Sequence, residues 1–193
     1  MKRILTALVL ALGSATAACE WHFGPATDLT DTLAAPHFHH LDGAGRRHVA
    51  TTAAGVAVIW EDDSSGEPQV YITTRSHGAP GFEPRMRLSA GAEAYEPAVV
   101  GLGPERWLAA WEQDGDIHVR ALGASGPGPT LELAAAGARQ VTLASRADGL
   151  IAVAWAQDAR RGQVLRAALL ETTGSTPRIV RQLDVPQIGR AHV

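Results

Sequence analysis

Val56-Ala-Val-Ile-Trp60-Glu-Asp62, Leu108-Ala-Ala-Trp111-Glu-Gln-Asp114 and Ile151-Ala-Val-Ala-Trp155-Ala-Gln-Asp158 are three versions of one phrase. Each is an apolar run ending in a tryptophan, followed by an acidic or amide-bearing turn. The tryptophans lie 51 and 44 residues apart, the spacing of a repeat of four short strands. A unit of that size cannot bury its apolar face alone and must stack on its neighbours. The phrase therefore decides the fold class, all-β, and makes Trp60, Trp111 and Trp155 the expected structural core of the repeat.

The residues around each tryptophan repeat the same cycle. A short apolar run comes first: Val49–Thr52, Pro97–Val100, Gln140–Ala144. The tryptophan strand follows, then a polar turn at 62–66, 113–115 and 157–162. A third strand (Gln69–Thr74, Asp116–Arg120, Gln163–Arg166) and an outer strand (Arg85–Leu88, Thr130–Leu133, Arg178–Leu183) complete the unit. Gly and Asp in the turns are hairpin chemistry. Near-continuous apolar character in the tryptophan strands marks burial on both faces. No stretch has a sustained helical period. The Ala-rich run Leu131–Arg139 is broken by Gly137. The expected fold is an incomplete ring, a partial β-propeller of about three four-stranded blades over residues 46–187, since closed rings have typically four to eight.

Composition sets limits on partners. With 46% hydrophobic and 19% charged residues and a net charge of −3, the chain is globular in composition and has no electrostatic footprint for nucleic acid. Its long apolar run is at the start. Lys2-Arg3, then Ile4–Leu12, then small residues up to Ala17-Ala18-Cys19 read as a signal peptide over residues 1–18. The apolar part is too short to span a bilayer. Cys19 is the sole cysteine, so no internal disulfide is possible. Ala17-Ala18-Cys19 resembles a bacterial lipobox, which makes Cys19 the lipidation site, although Thr16 stands where that pattern has leucine. Ordinary cleavage after Ala17 or Ala18 is the alternative. Both readings place the mature chain outside the cytoplasm, in the periplasm or at the outer membrane, with membrane contact only through a lipid on Cys19.

Residues 19–45 are expected to be a lead-in linker. Residues 188–193 are expected to be a non-native tail. The codons that can encode Ile188-Gly-Arg-Ala-His-Val193 form a string resembling a common sequencing adapter, and an outer strand has just ended, so the chain is expected to be a truncated fragment, the front part of a longer protein.

Trp60-Glu-Asp62, Val70–Ser76, Gly81-Phe82-Glu-Pro84 and Leu88-Ser89, followed by Tyr95-Glu-Pro-Ala-Val99, resemble successive blades of the sialidase-like (BNR repeat) propellers. The likeness covers roughly residues 46–185. The family's Asp-box turn carries Ser, Asp, Gly and an aromatic at fixed offsets. Aligned on Phe82, those positions hold Arg75, His77, Ala79 and Phe82, so only the aromatic remains. Ser145–Gly149 has the residue types at another spacing.

The resemblance implies what a hydrolase of this family requires. It needs an arginine cluster to clamp a carboxylate, a tyrosine nucleophile with a carboxylate partner, and an acid/base carboxylate. The family's Arg-Ile-Pro phrase is absent from Arg46-Arg-His-Val49. Tyr71 and Tyr95 are the two tyrosines, and Tyr71 sits mid-strand, where packing is the simpler role.

Other clusters have structural explanations. His37-Phe-His39-His40, with His22 and His48, has ligand-like spacing, but it fits a His-rich lead-in, and no metal or other cofactor is expected. Glu61-Asp62-Asp63 suits turn chemistry, and Glu112 and Asp114 repeat it. Trp60, Trp111 and Trp155 have apolar flanks and belong to a core. Trp107 and Trp21 fall outside the repeat register and are the candidates for surface aromatics. The expectation is a non-catalytic binding or scaffold module at the bacterial envelope, taking an unknown protein or glycan ligand. The alternative is a sialidase-like glycoside hydrolase whose catalytic residues lie mostly in downstream blades.

Overall fold

A computed structural model describes residues 24–29, 39–40, 47–133, 136–160 and 162–184. The predicted signal peptide, Cys19, Trp21, His22, His37 and the tail 188–193 lie outside the described residues. Among these residues the chain is all-β, with three antiparallel sheets and no helix. The first sheet contains β1 (His39–His40), β2 (Val49–Thr51), β3 (Gly55–Asp62), β4 (Gln69–Ser76) and β5 (Met86–Arg87). The second runs β6 (Ala94–Gly103), β7 (Arg106–Gln113), β8 (Asp116–Gly123), β9 (Gly126–Leu133). The third runs β10 (Ala138–Ser145), β11 (Ile151–Ala159), β12 (Gly162–Thr173), β13 (Thr176–Asp184). Each tryptophan phrase supplies the second strand of a four-strand meander. In the first sheet, β1 and β2 share one edge of β3: His40 opposes Glu61 and Val49 opposes Val58. Backbone from the lead-in thus belongs to the sheet.

The hairpin between β7 and β8 shows how local sequence sets register. Asp114 and Gly115 both have positive φ, 55° and 77°, the requirement of a type I′ turn. Gln113 opposes Asp116 across it. In the hairpins that open the second and third sheets, register is adjusted by bulges. The β6–β7 ladder shifts between Tyr95 and Ala98, and the β10–β11 ladder between Arg139 and Thr142.

Period-two alternation assigns every strand residue to a face. Ala57, Ile59, Val70 and Ile72 of the first sheet meet Val99, Trp107, Ala109, Trp111 and Leu122 of the second. Leu108, Ala110, Ile117 and Val119, on the other face of the second sheet, meet Val141, Leu143, Ile151, Val153 and Trp155 of the third. The sheets thus stack in sequence order. Trp60, Trp111 and Trp155 are all buried, at 2%, 1% and 5% exposure.

Trp107 differs from its expected surface position. It is 5% exposed and packs in the junction between the first two sheets. The reason is elementary: Trp107 is four residues before Trp111 on one strand, so both point to the same face.

Two glycines mark where the layers nearly touch. A Cβ at Gly101 would lie 2.7 Å from Thr52 Cγ2, and one at Gly128 would lie 2.0 Å from the Ser175 carbonyl oxygen. The first closes β2 against β6, and the second closes β9 against the β12–β13 turn. A side chain at either position would push the sheets apart.

Candidate functional site

The strand ends that follow the tryptophans carry a rim of hydrogen-bonded polar groups. Glu61 is buried at the end of β3, and its Oε2 accepts the Glu96 backbone N–H at 2.9 Å. Glu112 occupies the same place on β7, and its Oε1 accepts the Gln140 backbone N–H. Glu96 and Gln140 both sit in the bulges that begin β6 and β10, with φ of 53° and 58°. Left-handed backbone at a non-glycine residue costs about 1–3 kcal/mol. A carboxylate accepting the freed N–H offsets part of that cost. Beside each clamp runs a backbone bond. Ala94 N–H donates to the Pro68 carbonyl at 2.9 Å, and Ala138 N–H to the Gly115 carbonyl at 2.8 Å. Each junction is therefore fixed by one carboxylate and one turn carbonyl of the preceding sheet.

The tryptophan indoles join this rim. Trp60 Nε1–H donates to Asp62 Oδ2 at 3.1 Å, and Trp111 Nε1–H to Gln113 Oε1 at 3.0 Å. Both acceptors stand two residues on, which places them on the same strand face. Asp62 is fully buried, and it also accepts the Ser64 N–H at 2.9 Å, the Ser64 hydroxyl and Arg85 Nη1 at 3.1 Å. Burial pushes this carboxyl up, but the Ser64, Trp60 and Arg85 contacts outweigh it and hold it below the usual carboxylate range. Arg85 lies 5.0 Å over the Tyr71 ring, which stacks on Trp60 at 6.1 Å. Tyr71 is 7% exposed and packs. Gln113 continues inward: its Nε2 donates to the Ala90 carbonyl at 2.6 Å and the Ala92 carbonyl at 3.3 Å. Gln69 Nε2 reaches Gly91 and Ala92 at 3.4 and 3.2 Å. The loop joining the first two sheets is thus held by two glutamines.

Between these pieces lies a groove of about 490 Å³. Glu67, Glu93, Glu112 and Asp114 line it with Tyr95 and Gln113, and no arginine is among its lining residues. The Tyr95 hydroxyl donates to Glu93 Oε2. That bond, with burial and the negative charges of Glu93, Glu61 and Glu67, pushes the phenol up to about 12. Tyr95 therefore stays protonated at neutral pH, as a hydrogen-bonding group.

The other predicted residues divide between the rim, the groove and positions away from both. Glu61 and Asp62 are structural acceptors, and Glu112 both clamps Gln140 and lines the groove. His39 and His40 lie on β1. No group of three or more His, Cys, Asp or Glu side chains that could hold a metal occurs among the described residues. At the turn Ser145–Gly149, Arg146 and Asp148 form an exposed ion pair, and Asp148 is held down to about 2 by its hydrogen bond from Arg146. Sequence reasoning passed over the Tyr95–Glu93 pair. Its two-residue spacing on an extended segment was the available signal. The sequence matches no known protein family, and no curated protein matches it.

Proposed function

We propose that the chain is a non-catalytic binding module of an exported, sialidase-like propeller, and that the groove beside Tyr95 is where ligand binds. The observation that carries this reading is the groove's charge. Four carboxylates and a protonated phenol offer acceptors to ammonium or hydroxyl groups of a glycan or protein ligand, and they repel a carboxylate sugar. The Tyr95–Glu93 pair is the nearest approach to a tyrosine nucleophile with its carboxylate. The carboxylate clamp that sialic acid requires needs arginine, and the groove lining contains none. We further propose export through the leader at residues 1–18 and anchoring through a lipid on Cys19.

Calorimetric titration with amine-bearing chitosan oligosaccharides and with sialyllactose tests the ligand class. The expected result is binding of the former, weakened by salt and by Glu93→Gln, and none of the latter. Tighter binding of sialyllactose, or its turnover above a heat-denatured control, gives precedence to the hydrolase. Palmitate labelling of intact cells expressing the wild type or Cys19→Ser tests the anchor; label in both forms would exclude Cys19.

A further inference from the structure

The dipeptide Asp-Gly occurs three times in the sequence, at Asp42-Gly43, Asp114-Gly115 and Asp148-Gly149. The first lies outside the described residues. The other two occupy turns, β7–β8 and β10–β11, and both aspartates are exposed. Glycine after aspartate leaves the amide nitrogen unhindered by a Cβ and the chain free to turn. That nitrogen is therefore well placed to reach the neighbouring side-chain carboxyl, unless other contacts hold the two groups.

In the β10–β11 turn both groups are held. Arg146 Nε donates to Asp148 Oδ1 at 2.8 Å, and Arg146 Nη2 donates to Oδ2. Leu150 N–H donates to Oδ1 at 3.3 Å. The Gly149 amide donates to the Arg146 carbonyl at 3.0 Å. The arginine fork also keeps the carboxyl ionised. An ion-paired carboxylate is a poor electrophile, because one of its oxygens must leave as water. In the β7–β8 turn neither group is held. Asp114 makes no hydrogen bond or ion pair through its carboxylate among the described residues, and the Gly115 N–H has no acceptor there.

We propose that Asp114-Gly115 is a site of spontaneous aspartate isomerisation, and that the Arg146 fork protects Asp148-Gly149 from the same reaction. The Gly115 nitrogen attacks Asp114 Cγ. A C–N bond forms, a carboxyl oxygen leaves as water with the acid proton and the amide proton, and a five-membered succinimide results. Water then adds at the Asp114 main-chain carbonyl carbon. The bond from that carbon to nitrogen breaks, and the nitrogen, still joined to Cγ, regains a proton. The product is isoaspartate, with unchanged composition and with water as the only other reactant. Its main chain runs through Cβ and is one carbon longer.

The extra carbon falls where it alters two features at once. Asp114 and Gly115 close a two-residue turn and line the groove beside Tyr95. The Gly115 carbonyl accepts the Ala138 N–H at 2.8 Å, across the junction with the third sheet. Lengthening the turn displaces that carbonyl and one wall of the groove together. The isomerisation does not depend on what the groove binds.

Prolonged warm incubation of the full chain at neutral pH tests this, with peptide mapping by a fragmentation method that distinguishes isoaspartate. Isoaspartate should accumulate at position 114 about tenfold faster than at 148, where hydrogen bonds to a charged group must first break. In urea the two positions should convert at similar rates, because the dipeptide is the same and the contacts are gone. Arg146→Ala is an exposed change, so the circular dichroism should persist, and the rate at 148 should rise towards that at 114. Equal rates in the folded chain, or a faster rate at 148, would overturn the inference. So would a bias of the same size in urea, conversion at 114 in urea alone, or an unchanged rate at 148 in Arg146→Ala.

Discussion

The junction between the first and second sheets and the junction between the second and third share one fastening and differ in another. Both use a glutamate after the tryptophan, Glu61 or Glu112, to take the N–H of a left-handed bulge residue in the next sheet. They differ at the indole. Trp111 Nε1 is bonded to Gln113, which also holds the connecting loop. Trp155 Nε1 is buried with no partner among the described residues, although Gln157 stands two residues on. The glutamate is thus the common fastening between sheets. The indole bond is a local refinement that one junction has and the other lacks. The carboxylate contact depends on a bulge in a partner strand, which repeats with the fold, whereas the indole bond depends on one side-chain rotamer.

The largest effect should come from removing the shared apolar part. Trp111→Ala should cost about 3–5 kcal/mol in urea unfolding, the range for deleting a large buried aromatic. A cost under about 1 kcal/mol would mean that the junction does not depend on the indole. Next comes the shared clamp. Glu61→Ala and Glu112→Ala should each cost about 1–3 kcal/mol, since a backbone N–H in a strained bulge loses a charged acceptor. The Glu61 change should cost more, because Glu61 is buried and Glu112 is half-buried.

A smaller effect sharpens the contrast between the junctions. Trp111→Phe should cost about 1 kcal/mol more than Trp155→Phe, the worth of a net hydrogen bond. Equal costs would show that the Trp155 indole is satisfied in solution. The smallest effect should be a pH dependence. Asp62 is held below its ordinary value in the folded state. Its stabilisation is therefore complete above the unfolded-state pKa and is lost as pH falls through the folded one, below about pH 4. Wild-type stability should fall more between pH 5 and about pH 3 than that of Asp62→Asn, and parallel curves would assign the acid sensitivity to other carboxylates.

Much of the fold was legible from the tryptophan spacing. The four strands of each repeat, the hairpin at Asp114-Gly115 and the burial of Tyr71 follow from periodicity and turn chemistry, which are local. Trp107 lies outside the tryptophan-to-tryptophan register, yet strand faces alternate every two residues, which puts it on the face of Trp111. The roles of Glu61 and Glu112 were hidden for a different reason. Their acceptors serve bulges 35 and 28 residues ahead, and no one-dimensional pattern announces that a particular N–H will be left unpaired. The groove is less legible still. Its lining is drawn from the β3–β4 turn, the loop before β6, the β7–β8 turn and the start of β10, so it exists only once the sheets have stacked.

Native-state hydrogen exchange at two backbone amides tests the clamp most directly. In the wild type, the Glu96 and Gln140 amides should both be protected, since each donates to a glutamate carboxylate. Glu112→Ala should lower protection at Gln140 and leave Glu96 unchanged, and Glu61→Ala should do the reverse. Protection at both amides that is unaffected by either substitution would contradict the clamp and leave apolar packing as what fixes one sheet against the next.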